Sequence, residues 1–427
     1  MPPPASSFPQ PWRTAVFLLC ASAFNYADRA SLTAILPALR EELLLSDAQL
    51  GLLGSLFLWA YALGSPVAGV LGDRYARRKL VVGSLVVWSL VTLATGAVHS
   101  FRGLAALRLA LGLAECIYIP TALALLMEQH GPASRGRAMS VASIGSYIGS
   151  VSGGTLCGAL ADRFSWRTGF IVLGVAGLGL ALLARPFLGT GTTASAATAA
   201  TPKPLIPVME PFRYFLGTRT YLLTLVAIGL ASLSVWVFMS WLPLYFTEKF
   251  HQSMGTAGFN GTFVISACSI VGVAVGGWLS DRVARIDGRH RLLLHATGFL
   301  LAAPFLLGFV AGLPFAALYA CLACFSLLRT IGAANETPVM CDVVPSAYRG
   351  TAQGLQNTVA LASSGVGVLL TGILKARFGL ETIFVFVGGM LMLAAVVYFC
   401  AYRFFLRADT ERARCRGEEL EPRPSPA

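Results

Sequence analysis

Asn25-Tyr26-Ala27-Asp28-Arg29 is a polar island inside an apolar run that covers residues 12–39. A run of that length is what a helix needs to cross about 30 Å of hydrocarbon, and it places two charges near mid-membrane. Burying an ionised group there costs at least about 2.5 kcal/mol, so such residues face a partner helix or a water-filled cavity and mark transport pathways. Asn25, Asp28 and Arg29 stand at i, i+3 and i+4, which puts all three on one helical face. The bland alternative is an Asp28/Arg29 pair that only locks helix to helix, although adjacent residues diverge by about 100° on a helix.

The rest of the chain agrees with a membrane setting. Of 427 residues, 56% are hydrophobic and 12% charged, about half the charge of a soluble domain. The mean hydropathy is +0.70. No cleavable signal peptide is expected, because the first apolar run is too long and further runs follow it. The net charge of +12 does not point to nucleic acid, since Arg and Lys cluster in short segments between apolar runs. Their excess on the side of the amino terminus is the positive-inside bias, which puts both termini in the cytoplasm. The nine cysteines are scattered, and the close pair Cys321 and Cys324, in an apolar run, is expected to serve as small core residues. The five histidines show no metal-ligand spacing. Neither metal nor cofactor is expected.

Apolar runs recur at about 13–39, 49–72, 80–98, 103–128, 137–160 and 168–188, then at 219–246, 256–279, 290–311, 313–341, 351–374 and 381–406. They predict an all-α protein of twelve spanning helices in two six-helix halves, residues 1–188 and 219–406. Residues 189–218, rich in Thr, Ala, Ser and Pro at their start, read as a cytoplasmic linker. Residues 407–427 read as a tail, disordered or lying on the anionic leaflet. The halves match in register: Pro37 with Pro243, the segment from Gly69 to Arg77 with that from Gly277 to Arg285, and Glu128, Arg135, Gly136 and Phe170 with Asp342, Arg349, Gly350 and Phe384. A parallel duplication explains one register kept through three loops.

Gly72-Asp73-Arg74-Tyr75-Ala76-Arg77-Arg78-Lys79, with its degenerate copy from Ser280 to Arg285, resembles the signature loop of the major facilitator superfamily. That resemblance implies two rocking bundles around one cavity, with Gly72, Asp73, Arg74, Arg77, Arg78, Asp281 and Arg282 as gating residues that hold helix ends together. In the fourth run Arg108 and Glu115 share a face but stand roughly 10 Å apart along the axis, too far to pair directly. Each needs a partner elsewhere, and Glu115 lies at the depth of Asp28 and Arg29. Asn-Tyr-x-Asp-Arg in the first run with Arg and Glu in the fourth looks like the anion:cation symporter family. By that resemblance Asp28 and Glu115 are proton-linked carboxylates, and Arg29 and Arg108 hold the substrate or pair with them. The same Tyr-x-Asp-Arg and fourth-run Glu also resemble spinster-like transporters of lysolipids. A non-transporting sensor is a third possibility.

Arg329 and Asn335-Glu336 interrupt the tenth run with the same seven-residue spacing of Arg and Glu. Tyr26, Arg29, Arg108, Tyr118, Asn335 and Gln356 are the expected substrate-binding residues, and Asp28, Glu115 and Glu336 the expected proton-coupling ones. Gly145, Gly149 and Gly153 form a stripe for close helix packing. With three acidic and three basic cavity residues the site is neutral; protonating one carboxylate leaves it positive and suited to one anion. The expectation is proton-coupled symport of a small organic anion by a monomer in the bacterial inner membrane, with no catalytic constellation and hence no enzyme.

Overall fold

The protein is described here by a computed structural model, covering residues 10–188 and 209–420. Among the described residues there is no strand. The helices are α1 (Gln10–Ala34), α2 (Leu36–Leu43), α3 (Asp47–Arg74), α4 (Arg77–Thr95), α5 (Phe101–Glu115), α6 (Tyr118–Gln129), α7 (Pro132–Arg163), α8 (Trp166–Leu182) and α9 (Ala184–Leu188). They continue with α10 (Met209–Gly217), α11 (Arg219–Phe250), α12 (Met254–Ala284), α13 (His290–Ala302), α14 (Phe315–Ala333), α15 (Glu336–Val343), α16 (Arg349–Phe404) and α17 (Leu406–Leu420).

Among the described residues, eight helical segments are long and apolar enough to cross a membrane. One of them, residues 346–404, is two helices merged across Gly379, whose φ of 72° lies where a side chain is strained. The polar island of α1, the glycine- and serine-rich α7 and the 17-residue α8 fall outside that count because of composition or length. With them the fold is consistent with twelve spans.

The chain forms two compact units. Of the described residues, unit 1 takes 10–188, 239–263 and 368–373, and unit 2 takes 209–238, 264–367 and 374–420. In unit 1, α1 packs on α7 through the glycine stripe. A methyl on Gly145, Gly149 or Gly153 would overlap the backbone of Leu19, Ala23 or Ala27 respectively, so only glycine permits this approach. Asp162 at the end of α7 accepts hydrogen bonds from Met254 N (3.0 Å) and Gly255 N (2.9 Å) at the start of α12. Unit 2 has an aromatic core in which Phe238 stacks on Phe384 at 4.6 Å and meets Phe325 and Phe309.

The duplication leaves matched contacts in the two units. Arg77 on α4 bonds Glu128 on α6 at 2.6 Å, and Arg291 on α13 faces Asp342 on α15 at 3.7 Å. Arg135 donates to the His130 carbonyl and Arg349 to the Val344 carbonyl. The structural counterpart of Arg77 is therefore Arg291, not the Arg285 that loop similarity suggests, because an insertion lengthens the second loop.

Two expectations need correction. Residues 189–208 of the expected linker lie outside the described residues, but its last part is helix α10, which buries Pro211, Tyr214 and Phe215. The expected tail is likewise helical over Leu406–Leu420, with residues 421–427 outside the described part. Its Asp409 is buried and accepts from Thr220 N at the start of α11 at 2.7 Å, and Arg412 donates to the Gly217 carbonyl. Arg407–Glu411 and Arg414–Glu418 pairs at i, i+4 add a few tenths of a kcal/mol each, on the order of 0.3.

Candidate functional site

α5 ends at Glu115 for a local reason. Pro120 has no N–H for the Cys116 carbonyl, and its ring crowds that carbonyl, so the chain turns at Cys116-Ile117 before α6 begins. α14 breaks in the same way, Pro338 being unable to bond Ala334, and α15 starts at Glu336. Proline-interrupted spans in corresponding places of two repeats are the sequence feature that flags a transport site. In each unit a glutamate stands at the break.

In unit 1 the break presents Glu115 to α1. Arg29 donates from Nε to Glu115 Oε2 at 2.9 Å, with the Arg29 side chain 8% exposed and that of Glu115 0%. Asp28 turns away from Arg29 and accepts from the Thr92 hydroxyl on α4 at 3.0 Å. The self-paired Asp28/Arg29 alternative is not what the side chains adopt. The Arg29 guanidinium lies over three rings, Tyr26 (4.8 Å), Tyr61 (4.9 Å) and Phe57 (5.2 Å), each worth about 0.5–2 kcal/mol. Phe57 also carries Arg108 at 4.9 Å, and Arg108 Nε donates to the Leu53 carbonyl at 3.4 Å. Asp28 is within electrostatic reach of Glu115, Arg108 and Arg29, so the four charges form one buried group.

Glycines bring these helices close enough. A methyl on Gly112, one turn from Arg108 and Glu115, would stand 2.5 Å from the Phe57 carbonyl, so α5 presses on α3 and Phe57 reaches both arginines. The stripe on α7 fixes the opposite face of α1 and turns the Asn25-to-Arg29 face toward α4 and α5. Asn25 is fully buried beside Glu115, and Asp28 Oδ1 is buried without a direct hydrogen bond from a described side chain.

The other expected residues are more dispersed. Tyr118 is buried with its hydroxyl committed to the Leu18 carbonyl (2.8 Å) and Ser22 (3.0 Å), bracing α6 on α1. In unit 2, Asn335 donates to the Ile331 and Gly332 carbonyls and caps the end of α14. Arg329 bonds the Thr330 hydroxyl at 2.9 Å and is within electrostatic reach of Glu336. Gln356 is buried with both amide atoms lacking a hydrogen-bond partner. Among the loop residues, Gly72 and Arg74 close α3 while Arg77 and Arg78 open α4. Arg77 makes an interhelical ion pair with Glu128. Asp281 and Arg282 are exposed, the latter over the Trp278 ring at 5.6 Å, and the side chain of Asp73 lies outside the described residues. Sequence reasoning missed Thr92 and Phe57: a threonine or phenylalanine in an apolar run carries no mark that separates it from ordinary packing residues.

Comparison with known proteins bears on the chain as a whole. Residues 18–360 and 285–427 match the Major Facilitator Superfamily. A hexuronate transporter of Bacillus subtilis (strain 168) is 27% identical over 391 residues, covering 89% of this chain and 92% of that protein. A 3-(3-hydroxy-phenyl)propionate transporter of Escherichia coli (strain K12) is 30% identical over 277 residues, covering 63% of this chain and 67% of that protein. The solved structure of a bacterial homolog of the human lysosomal transporter Spinster, inward-facing and occupied, superimposes with a TM-score of 0.80 at 22% identity, covering 94% of this chain and 99% of the other. At that identity the likeness is one of fold.

Proposed function

The chain belongs to the Major Facilitator Superfamily and is a multi-pass membrane transporter similar to carriers of organic acids, and from that premise we propose that it moves a small organic anion together with a proton. The observation that carries this reading is the buried group of Asp28, Arg29, Arg108 and Glu115 in unit 1. Its charges sum to zero. One added proton on a carboxylate leaves a net positive site, and one monoanion restores neutrality. A neutral loaded site is cheaper to move through a low-dielectric environment than a half-loaded one, so proton and anion travel together.

In this reading Arg29 and Arg108 hold the anion, with Tyr26 beside Arg29. Asp28 and Glu115 take the proton. Asn335, Glu336 and Gln356 are the corresponding candidates within unit 2, Arg77 and the loop residues gate, and Tyr118 supports the site through α6. The two repeats, residues 1–188 and 219–406, exchange the site between the two sides by alternating access. The protein works as a monomer in the bacterial inner membrane with both termini in the cytoplasm. A hexuronate or an aromatic monocarboxylate is the favoured cargo, because relatives that the chain matches over most of their length carry such acids.

Ligand-dependent stabilisation of the purified protein tests this. A ligand at a hundredfold its Kd stabilises by about 2.7 kcal/mol. Hexuronates, hydroxyphenylpropionate and lysophospholipids are compared at matched ionic strength. A shift with an organic acid that needs Arg29 supports the proposal, and a shift with lysolipid alone turns the reading to a spinster-like carrier.

A further inference from the structure

Unit 2 carries a second polar site, made where α10, the turn at Tyr348 and α17 meet. A cavity of about 470 Å³ is lined there by Glu210, Arg213, Tyr214, Tyr348, Arg412 and Arg416. Its walls bring three guanidinium groups against one carboxylate. Glu210 Oε1 accepts from the Tyr348 hydroxyl and from Arg416 Nη2, both at 2.6 Å. These bonds hold its carboxyl below the usual carboxylate range, so it stays ionised at neutral pH and keeps Arg416 pointed at the cavity wall. Arg412 is tied to the Gly217 carbonyl and lies over the Tyr214 ring at 5.6 Å, while the Tyr214 hydroxyl donates to the Val343 carbonyl at 3.1 Å. Arg213 is exposed and makes no contact of this kind among the described residues. The net charge of the cavity is +2 from these four ionised groups.

The surroundings of Arg213 say what kind of anion arrives. Met209 and Leu216 stand at i−4 and i+3 from it, on one face of α10, and are 62% and 73% exposed. An exposed cation between exposed apolar side chains, on an amphipathic helix directly before a spanning helix, is the arrangement of a segment lying in the lipid interface. Arginine forks pair with two oxygens of one phosphate, and basic residues beside a spanning helix select anionic lipids. We propose that this cavity is a phosphate-binding site that takes the headgroup of an anionic phospholipid, with Arg213 reaching the phosphate first and Arg412 and Arg416 completing the cradle. Occupancy would tie α10 to α17 and to the turn after α15, whose Asp342 pairs with Arg291.

The full-length protein in a neutral detergent is titrated with phosphatidylglycerol or phosphatidylcholine, and separately with inorganic phosphate against chloride at equal ionic strength, while its melting midpoint is followed. Phosphatidylglycerol raises the midpoint and phosphatidylcholine does not. Arg213→Gln, which removes no internal contact, weakens the apparent phosphatidylglycerol affinity about tenfold, the loss of one phosphate contact of roughly 1.4 kcal/mol, and Arg213→Lys retains most of it. An equal Arg213-dependent shift with inorganic phosphate alone supports the phosphate site with a soluble source. No shift with either probe, or a phosphatidylglycerol shift unchanged in Arg213→Gln, overturns the proposal.

Discussion

Replacing Arg29 by methionine keeps an apolar stem over Tyr26, Phe57 and Tyr61 while deleting the charge that faces Glu115 at 2.9 Å. Glu115 is then a fully buried carboxylate without its cation, and breaking a buried pair from one side costs about 3–5 kcal/mol. The reverse deletion, Glu115→Gln, keeps an amide oxygen to accept from Arg29 and leaves its guanidinium over three rings, so the remaining buried charge is still solvated by its surroundings. The expected loss there is smaller, about 1–2 kcal/mol. In Arg29→Met/Glu115→Gln neither charge of the pair remains, so the double variant is more stable than Arg29→Met by about 2 kcal/mol; adding the loss of Glu115→Gln alone, the coupling is about 3–4 kcal/mol, well above the scatter of independent sites. Denaturant unfolding in mixed micelles of the four proteins measures the cycle. A double variant no more stable than Arg29→Met, or an Arg29→Met protein as stable as the parent, would refute the pairing argument.

Three further outcomes follow from the packing and the loops. Gly149→Leu drives a side chain into the Ala23 backbone and costs several kcal/mol, enough to abolish recovery of monodisperse protein, whereas Gly179→Ala, inside α8 with nothing within 4 Å of the added carbon, keeps or slightly raises the melting midpoint. Arg77→Gln breaks a half-exposed pair with Glu128 worth about 0.2–1 kcal/mol; it slows transport severalfold in vesicles while leaving substrate affinity within about twofold, and an equal loss of both would contradict a gating role. Glu42 is partly buried, which raises its carboxyl, but hydrogen bonds from Arg167 and Trp166 outweigh this and hold it below the usual range. Its stabilising effect is therefore complete above the unfolded value of about 4.3 and is lost as pH falls through the lower folded value. The stability difference between parent and Glu42→Gln is flat from about pH 6 to 8 and shrinks below about pH 4; a difference that grows on acidification would reverse that sign.

The spans and their duplication were legible because both are one-dimensional signals, hydropathy and repeat register, and the matched Arg77/Glu128 and Arg291/Asp342 pairs show the repeat in three dimensions. The depth of Glu115 and its need for a partner could be read from helix rise, and Arg29 was among the candidates. Which charge it would meet depends on how α1 rotates against α5, and that is decided by glycines pressing on backbone. Thr92 and Phe57 escaped notice since their roles exist only across helices. The helix of α17 was hidden by its polar composition, although Arg407/Glu411 and Arg414/Glu418 at i, i+4 were a visible signal. The helix at the end of the linker leaves no periodic signal, because Tyr214 and Phe215 are too few to give one.

Proton coupling through the buried group of unit 1 is tested most directly with Glu115→Gln in reconstituted vesicles, where exchange between equal pools and uphill uptake under a pH gradient are measured on one preparation. Exchange needs only the loaded carrier to reorient, whereas net uptake needs the empty carrier to release a proton, which glutamine cannot do. The account predicts that Glu115→Gln still exchanges the organic anion but no longer concentrates it; uphill accumulation at the parent's level would contradict it.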